Sequence, residues 1–166
     1  MTDDHGAGDQ GIMIGYATNE TEDMLPQEYV IARDLCLELR NARVNADIPW
    51  LRSDCKTQIT LNGNTAPVII AAQHEEGIDI EDLRKTVVNE IIVPVLDRHN
   101  ISMPPMKNII INGAKGIFSV GGTIGDAGVV GRKIVVDAYG PNIPVGGGAY
   151  SGKDFTKVDR SAAYMA

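Results

Sequence analysis

The apolar residues in the first half of the chain follow two different spacings. Between Pro26 and Arg43 they recur every three or four positions, which predicts an amphipathic helix with the proline in its first turn. Residues 57–61 alternate between polar and apolar side chains, and residues 68–72 form an apolar run, so both are predicted strands. Because Asn62-Gly63-Asn64 lies between them, these strands are predicted to form a hairpin.

A second helical stripe follows the hairpin. Asp79 is placed to cap a helix from Ile80 to about Val93, and Pro94 is expected to kink or end that helix. The stripe consists of Ile80, Leu83, Val87 and Ile91. Helices and strands in this order predict an α+β fold, with a layered, largely antiparallel sheet and helices on one face. The remaining predicted strands are residues 12–18, 108–112 and 134–139.

Composition restricts the class of protein. The 166 residues can bury a sizeable core, and a net charge of −7 argues against a broad nucleic-acid surface. Cys36 and Cys55 are too few for a disulfide framework and form no C-x-x-C motif, which favours a reducing compartment. The acidic first residues do not resemble a signal or transit peptide. We expect a cytoplasmic protein that binds neither membranes nor nucleic acids.

Candidate chemistry is concentrated in residues 146–160, GGGAYSGKDFTKVDR. Glycine-rich backbone can approach phosphate oxygens, and a helix opened by Ser151 or Asp154 would carry Lys153 and Lys157 on one face. Asp159 offers a hard oxygen ligand of the kind Mg²⁺ accepts. On an ideal helix it lies about 200° from Lys157, so either the helix begins later or Asp159 acts from another direction. The alternative is a glycine-rich surface turn before a solvated helix.

Two glycine motifs in the chain lack the setting that a nucleotide loop requires. Polar residues precede GAGDQG (6–11) where a dinucleotide fold needs a strand, which leaves a tight loop presenting Asp9 as a site residue or a turn former. The sequence from Gly147 to Asp154 departs from the P-loop at Asp154. The scattered histidines and the lack of a nucleophile motif favour chemistry by positioning and electrostatics on a polyphosphate.

Further candidate residues lie upstream of the glycine-rich stretch. Arg132 can bind phosphate in a bidentate manner, and Lys133 adds a point charge. The aromatic ring of Phe118 is suited either to contact the face of a purine or to pack in the core. Asp54 and Lys56 form either a surface ion pair or a pair directed at one ligand.

Separate blocks of the chain together resemble the S-adenosylmethionine synthetase (methionine adenosyltransferase) family. These blocks are GAGDQG with GYAT, PWLRSDCKTQ, QHEE, GDAGVVGRKIVVDAYG, and GGGAYSGKD followed by TKVDRSAAY. The chain departs from the family pattern at Ile117 and Thr123, where arginine and proline are usual. The resemblance extends over nearly the whole chain.

The resemblance implies that the sulfur of methionine attacks C5′ of ATP, and that the released tripolyphosphate is hydrolysed to phosphate and pyrophosphate. It implies the cofactors Mg²⁺, at Asp159, and K⁺, without an assigned ligand. It implies catalytic roles for Arg132, Lys153 and Lys157, and methionine contacts at Asp9, Asp126 and Lys157. The implied ATP contacts are Asp54, Cys55, Lys56, Ile117, Phe118, Asp126, Arg132, Lys133, Ala149 and Lys153.

The resemblance also implies three intertwined α+β repeats, with active sites between the subunits of a homodimer or larger homo-oligomer. We therefore expect residues 1–18 to belong to a neighbouring repeat and residues 19–125 to form the main repeat. Residues 126–166 are expected to supply the ATP- and triphosphate-binding segment and a helix of neighbouring repeats. A His-Pro-Asp-Lys segment and a C-terminal portion are expected outside this chain. The alternative is a non-catalytic or incomplete subunit that associates with a chain supplying the missing segment.

Overall fold

The computed structural model describes residues 10–63, 65–113, 116–128 and 131–166. The chain divides into a central unit, Gln27–Ala127, and a terminal unit formed by Met1–Pro26 with Gly128–Ala166. In the central unit the elements are α1 (Gln27–Val44), β1 (Leu51–Ile59), β2 (Val68–His74), α2 (Ile80–Val87), a π-helical turn (Val88–Ile92), α3 (Val93–Arg98), a 3₁₀ turn (Met106–Asn108), β3 (Ile109–Ile111) and α4 (Gly122–Gly125). In the terminal unit they are α5 (Ile134–Asp137) and α6 (Val158–Met165).

The sheet of the central unit has the order β1-β2-β3 and is mixed. The predicted hairpin is confirmed, because β1 and β2 pair antiparallel with Ile59 opposite Val68. The third strand is parallel to β2, with Val68 opposite Ile109, so the expectation of a largely antiparallel sheet holds only for the hairpin. The helices between β2 and β3 return the chain to the end of the sheet at which β2 begins. A parallel pair of strands requires such a connection.

The core of the central unit lies where the helices meet the sheet. The apolar stripe of α1 buries Ile31, Leu35 and Leu39. Val68 and Ile70 of β2 are also buried in this cluster. Removing such apolar side chains from water is the main favourable contribution to folding. Further members of the cluster are Leu83, Val87, Ile91, Ile92, Val95 and Leu96.

The second helical segment begins as predicted but does not end at Pro94. The Asp79 carboxylate caps α2 by accepting hydrogen bonds from the N–H groups of Glu81 and Asp82 at 2.9 and 3.0 Å. Pro94 cannot donate a backbone hydrogen bond, and its ring crowds the preceding turn. The helix widens before the proline, where the Val93 N–H bonds to the Val88 carbonyl, and then continues as α3. Of the two predicted effects of Pro94, an end of the helix is therefore wrong, and the distortion found is a π-helical turn just before the proline.

Asn112 extends the β3 side of the sheet through its side chain. The backbone pairing of β2 with β3 ends at Ile70 and Ile111. Beyond that point the Asn112 Oδ1 accepts from the Ala72 N–H at 2.8 Å, and its Nδ2 donates to the Ala72 carbonyl at 3.0 Å. Asn112 is buried and has a φ of 50°, a conformation that asparagine tolerates better than most residues. One amide side chain thus satisfies both backbone groups of a buried strand residue.

The terminal unit lacks the two strands predicted for it. Within its described part, residues 12–18 form no strand, and residues 134–137 form the short helix α5. A strand needs a partner for its backbone groups and a buried face, whereas Ile12 and Val136 are exposed. Helix α6 begins at Val158, so a start at Ser151 or Asp154 is not found, and the helix begins later, as one of the two alternatives allows. Contacts between the two ends of the chain include the rings of Tyr16 and Tyr139, with centroids 5.9 Å apart.

Among the described helices, none combines the length and the apolar composition needed to cross a lipid bilayer.

Replacing Asn112 by alanine should destabilise the central unit, because two buried backbone groups of Ala72 would lose their partners. We expect a loss of about 2–4 kcal/mol in the free energy of unfolding, measured by chemical denaturation. The exposed Asn89 provides a matched control, and Asn89→Ala should change this free energy by less than about 0.5 kcal/mol. Asn112→Gly, which relieves the positive φ, should still be destabilised. A near-native Asn112→Gly would show that backbone strain, and not the hydrogen bonds, determines the effect.

Candidate functional site

The residues predicted to form the site fall into two groups, one in each unit. The terminal unit contains Arg132, Lys133, Ala149, Lys153, Lys157 and Asp159, and the central unit contains Asp54, Cys55, Lys56, Ile117, Phe118 and Asp126. Asp9 lies outside the described residues.

The segment before α6 is a loop organised around Asp154. The Asp154 Oδ1 accepts a hydrogen bond from the Thr156 N–H at 2.8 Å and another from its hydroxyl, which closes a tight turn. These bonds, the hydroxyl bond foremost, together with Lys157 hold the pKa of Asp154 at about 2. The Lys157 Nζ lies 3.2 Å from the Asp154 Oδ2. Because this turn replaces the predicted helix, Lys153 and Lys157 do not share a helical face.

Lys153 and Asp159 form the best shielded ion pair of this loop. The Lys153 Nζ contacts the Asp159 Oδ2, and both side chains are largely protected from solvent, with 29% and 17% of their surface exposed. The same carboxylate packs against Gly148, where a Cβ atom would overlap it. Of the three glycines in the GGG run, Gly148 is therefore one whose lack of a side chain is needed to avoid a clash with this carboxylate. Of the two options left by the sequence, the later start of the helix is the one found.

A second basic segment lies against the glycine-rich loop. Gly131 adopts a φ of 83°, and a Cβ atom at this position would be 3.5 Å from the Cβ of Ala149 and 3.4 Å from that of Ser151. This close approach brings the residue preceding Arg132 and Lys133 to the loop. Arg132 and Lys133 are both exposed. Two stretches separated in sequence thus contribute basic residues to one region of the terminal unit.

Arg160 positions this loop, although the sequence pattern does not predict that role. Its guanidinium donates a hydrogen bond to the Lys153 carbonyl and lies 4.8 Å from the centroid of the Phe155 ring. Phe155 in turn packs edge-to-face against Tyr164, with centroids 5.6 Å apart. These contacts join the first turns of α6 to the backbone that carries Lys153. No short motif predicts them, because they depend on the loop conformation.

In the central unit, Asp54 organises the backbone near α4. Its Oδ2 accepts a hydrogen bond from the Gly122 N–H at 2.8 Å. The preceding Gly121 is so crowded that a Cβ atom there would lie 2.9 Å from the Asp54 Oδ2 and 3.0 Å from the Phe118 ring. Asp54 and the segment 118–122 are therefore brought together by the fold. The strand β1 starts early enough that Asp54 and Lys56 both lie within it.

Gln73 and His74, at the end of β2, hold the same segment, although the histidine was not predicted to act at the site. Gln73 accepts from the Asp54 N–H at 3.2 Å and donates to the Ser119 carbonyl at 3.0 Å. The Asp54 N–H is available because the pairing of β1 with β2 shifts between Leu51 and Cys55.

His74 bonds to Phe118 through both its backbone and its ring. The His74 N–H donates to the Phe118 carbonyl at 3.0 Å, and the Phe118 N–H donates to the His74 Nε2 at 3.0 Å. Since Nε2 accepts, Nδ1 carries the proton and donates to the Glu75 carbonyl at 2.7 Å. The buried imidazole therefore fixes the backbone of Phe118, and both of its ring nitrogens have hydrogen-bond partners.

The remaining side chains of the central group differ in orientation. The Lys56 Nζ lies 3.8 Å from the Asp126 Oδ2, and both side chains are exposed. Ile117 is exposed, whereas the neighbouring Phe118 is half-buried. The Cys55 Sγ donates to the Cys36 Sγ of α1, so its side chain is directed towards that helix.

The donor set can be compared with what a metal requires. No group of three or more His, Cys, Asp or Glu side chains suited to a metal occurs in the described part of the chain. Asp159 by itself suits Mg²⁺ that is shared with phosphate oxygens and water, which is the usual way this ion is bound. Among the described residues, Asp159 therefore fits a metal that arrives with a polyphosphate.

Comparison with known proteins gives a consistent result over nearly the whole chain. The family model described as "S-adenosylmethionine synthetase, central domain" matches residues 4–117, and the model of the C-terminal domain matches residues 120–166. An S-adenosylmethionine synthase of Mycoplasma pneumoniae is 43% identical over 99% of this chain, and one of Fusobacterium nucleatum is 44% identical over 97%. The chain spans 43% of the length of each relative.

Replacing Gln73 by alanine should loosen the segment 116–122, because the Asp54 N–H and the Ser119 carbonyl lose a shared partner. Hydrogen exchange followed by mass spectrometry should show faster exchange in peptides covering 116–122. Gln58, an exposed glutamine on β1, supplies the matched control, and Gln58→Ala should leave these peptides unchanged. Equal exchange in both variants would contradict the positioning role of Gln73.

Proposed function

This chain belongs to the S-adenosylmethionine synthetase family, and we propose that it supplies the ATP- and tripolyphosphate-binding part of a methionine adenosyltransferase. The observation that carries the proposal is the Lys153–Asp159 pair, held against Gly148 in a loop rich in other cations. When a magnesium–phosphate ligand binds, the ammonium can exchange the carboxylate for a phosphate oxygen, and the carboxylate can exchange the ammonium for Mg²⁺.

In the proposed reaction the sulfur of methionine forms a bond to C5′ of ATP while the bond from C5′ to the triphosphate oxygen breaks. Negative charge then accumulates on the departing tripolyphosphate. Arg132, Lys153 and Lys157 are the proposed catalytic cations that stabilise this charge, and Lys133 is a further proposed contact to ATP. Such stabilisation needs fixed groups rather than a covalent intermediate. The hydrogen bond from Arg160 to the Lys153 carbonyl supports a fixed position for one of them.

Asp159 is the residue proposed to hold Mg²⁺, which would supply further charge neutralisation for the phosphates when bound. The proposed K⁺ has no assigned ligand. The Asp159 carboxylate is in contact with the Lys153 ammonium.

The nucleoside end of ATP is assigned to the central group. Phe118 is half-buried with its backbone fixed by His74, which supports a proposed contact of its ring with adenine. Asp54 and Lys56 are proposed ATP contacts, as are Ile117 and, through its backbone, Cys55; Ala149 of the terminal unit is another. Proposed methionine contacts are Asp126, Lys157 and Asp9.

Several wider expectations complete the proposal. The substrates are ATP and L-methionine, and the assembly is a homodimer or larger homo-oligomer with sites between subunits. The proposed organisation keeps the boundaries 1–18, 19–125 and 126–166, with parts of neighbouring repeats at both ends. The proposed location is the cytoplasm.

Lys153→Ala should weaken tripolyphosphate binding about tenfold or more, because a hydrogen bond to a charged group contributes about 1.5–3 kcal/mol. Adenosine binding should be nearly unchanged. Isothermal titration with each ligand in the presence of Mg²⁺ measures both affinities. Lys107, an exposed lysine of the central unit, provides the control, and Lys107→Ala should bind tripolyphosphate like the wild type. Equal losses for tripolyphosphate and adenosine would count against the role of Lys153.

Mass-spectrometric detection of S-adenosylmethionine distinguishes a complete site from an incomplete one. The chain is incubated with ATP, methionine, Mg²⁺ and K⁺ beside its Lys153→Ala variant. Product above that of the variant would place the chemistry in this chain. Tripolyphosphate binding without product would identify the alternative, an incomplete subunit whose missing segment comes from another chain. Failure to bind tripolyphosphate would contradict the proposed function.

A further inference from the structure

The fold brings the chain's two cysteines together, although they are distant in sequence and belong to different elements. Cys36 lies on α1 and Cys55 on β1, and their Sγ atoms are 3.9 Å apart. Thr57, two residues after Cys55 on the same strand, lies 3.1 Å from the Cys36 Sγ and donates its hydroxyl proton to the Ala32 carbonyl at 2.7 Å. The hydrogen bond from Thr57 to Ala32 thus holds β1 against α1 next to the two sulfur atoms.

Both cysteines are half-buried, so neither is sealed in the core or fully open to solvent. The hydrogen bond from Thr57 to α1 fixes β1 against the helix, and the pairing of Cys55 with Ala72 fixes β1 within the sheet. A disulfide requires the sulfur atoms to approach to about 2.05 Å, which is a small movement from their present contact. The arrangement therefore favours bonding within the chain over bonding between chains.

The two thiols are chemically unequal. The hydrogen bond from the Cys55 S–H, helped by Thr57, lowers the pKa of Cys36 to about 6 despite its burial. The same hydrogen bond raises the pKa of Cys55, together with burial and the nearby charge of Asp54. The Thr57 hydroxyl has one proton, which it donates to the Ala32 carbonyl, and its oxygen lies 3.1 Å from the Cys36 sulfur. Cys36 is thus the nucleophile of the pair and Cys55 the thiol that resolves it.

We propose that Cys36 and Cys55 form a peroxide-oxidisable dithiol that closes to a disulfide between α1 and β1. The Cys36 thiolate attacks an oxygen of hydrogen peroxide, the O–O bond breaks, and hydroxide leaves and takes up a proton to become water. The Cys55 sulfur then attacks the resulting sulfenic acid, whose hydroxyl leaves as water with the proton of Cys55. Two thiols lose two electrons and two protons in total, and one peroxide becomes two waters. A reducing thiol reverses the bond by exchange.

This inference is independent of the proposed function, because the bond is detected in the chain without ATP or methionine. The folded chain is treated with equimolar hydrogen peroxide, alkylated, denatured and digested with trypsin. The intact protein should lose the mass of two hydrogen atoms and take up no alkylating agent. The peptides Asp34–Arg40 and Ser53–Lys56 should be recovered as one disulfide-linked species that a phosphine separates.

Two variants test the unequal roles. In Cys55→Ser, oxidation of Cys36 should stop at a sulfenic acid that reacts with a 1,3-diketone probe. In Cys36→Ser, Cys55 should stay reduced under the same exposure. Sulfinic acid at Cys36 of the wild type without the linked peptides would overturn the proposal. A disulfide that joins two chains, visible as a dimer on a non-reducing gel, would overturn it equally.

Discussion

The central unit depends on how the backbone of β2 is satisfied beyond Ile70, where its pairing with β3 ends. A buried strand edge that leaves its N–H and C=O groups unpaired costs free energy for each group. Here Asn112 takes both groups of Ala72, and the backbone of Phe118 takes the N–H of His74. The chain after β3 is therefore held along the edge of β2 by hydrogen bonds that are not part of a regular sheet.

The same constraint builds the candidate nucleotide-binding surface of the central unit. Gln73 and His74, the last residues of β2, bond to the segment that contains Phe118. Asp54 of β1 fixes the next turn through Gly122. A segment without regular structure thus acquires a defined backbone, as positioning of an aromatic ring against a ligand requires. In the terminal unit the Lys153 loop is fixed differently, by the Asp154 turn and by Arg160.

The sequence predicts elements whose signals are local. Helix α1, the hairpin and the Asp79 cap follow from apolar spacing and turn residues and are confirmed. The strand predicted for residues 134–139 is wrong. A strand also needs a partner strand, and the apolar pattern of one segment does not encode that partner. The continuation past Pro94 depends on a π-helical turn, which has no comparable signal.

Predictability of the candidate site follows the same division. The cations near Lys153 and the glycines around them are visible as composition, whereas the pairing of Lys153 with Asp159 required the loop conformation. Gln73 was part of a recognisable block, but its two hydrogen bonds depend on the shifted register of β1. The contact between Cys36 and Cys55 joins residues from two elements, and their sequence spacing gives no indication of it.

The most direct test of this account is an NMR titration of the wild-type chain with a non-hydrolysable ATP analogue and Mg²⁺. The amide protons of Phe118 and Gly122 report on the bonds to His74 and Asp54. Both should exchange slowly with solvent in the free chain and shift on addition of the analogue, while that of Asn89 should not shift. Rapid exchange of both amides in the free chain, or unchanged shifts at saturating analogue, would contradict the claim that the edge of β2 orders a nucleotide-binding segment.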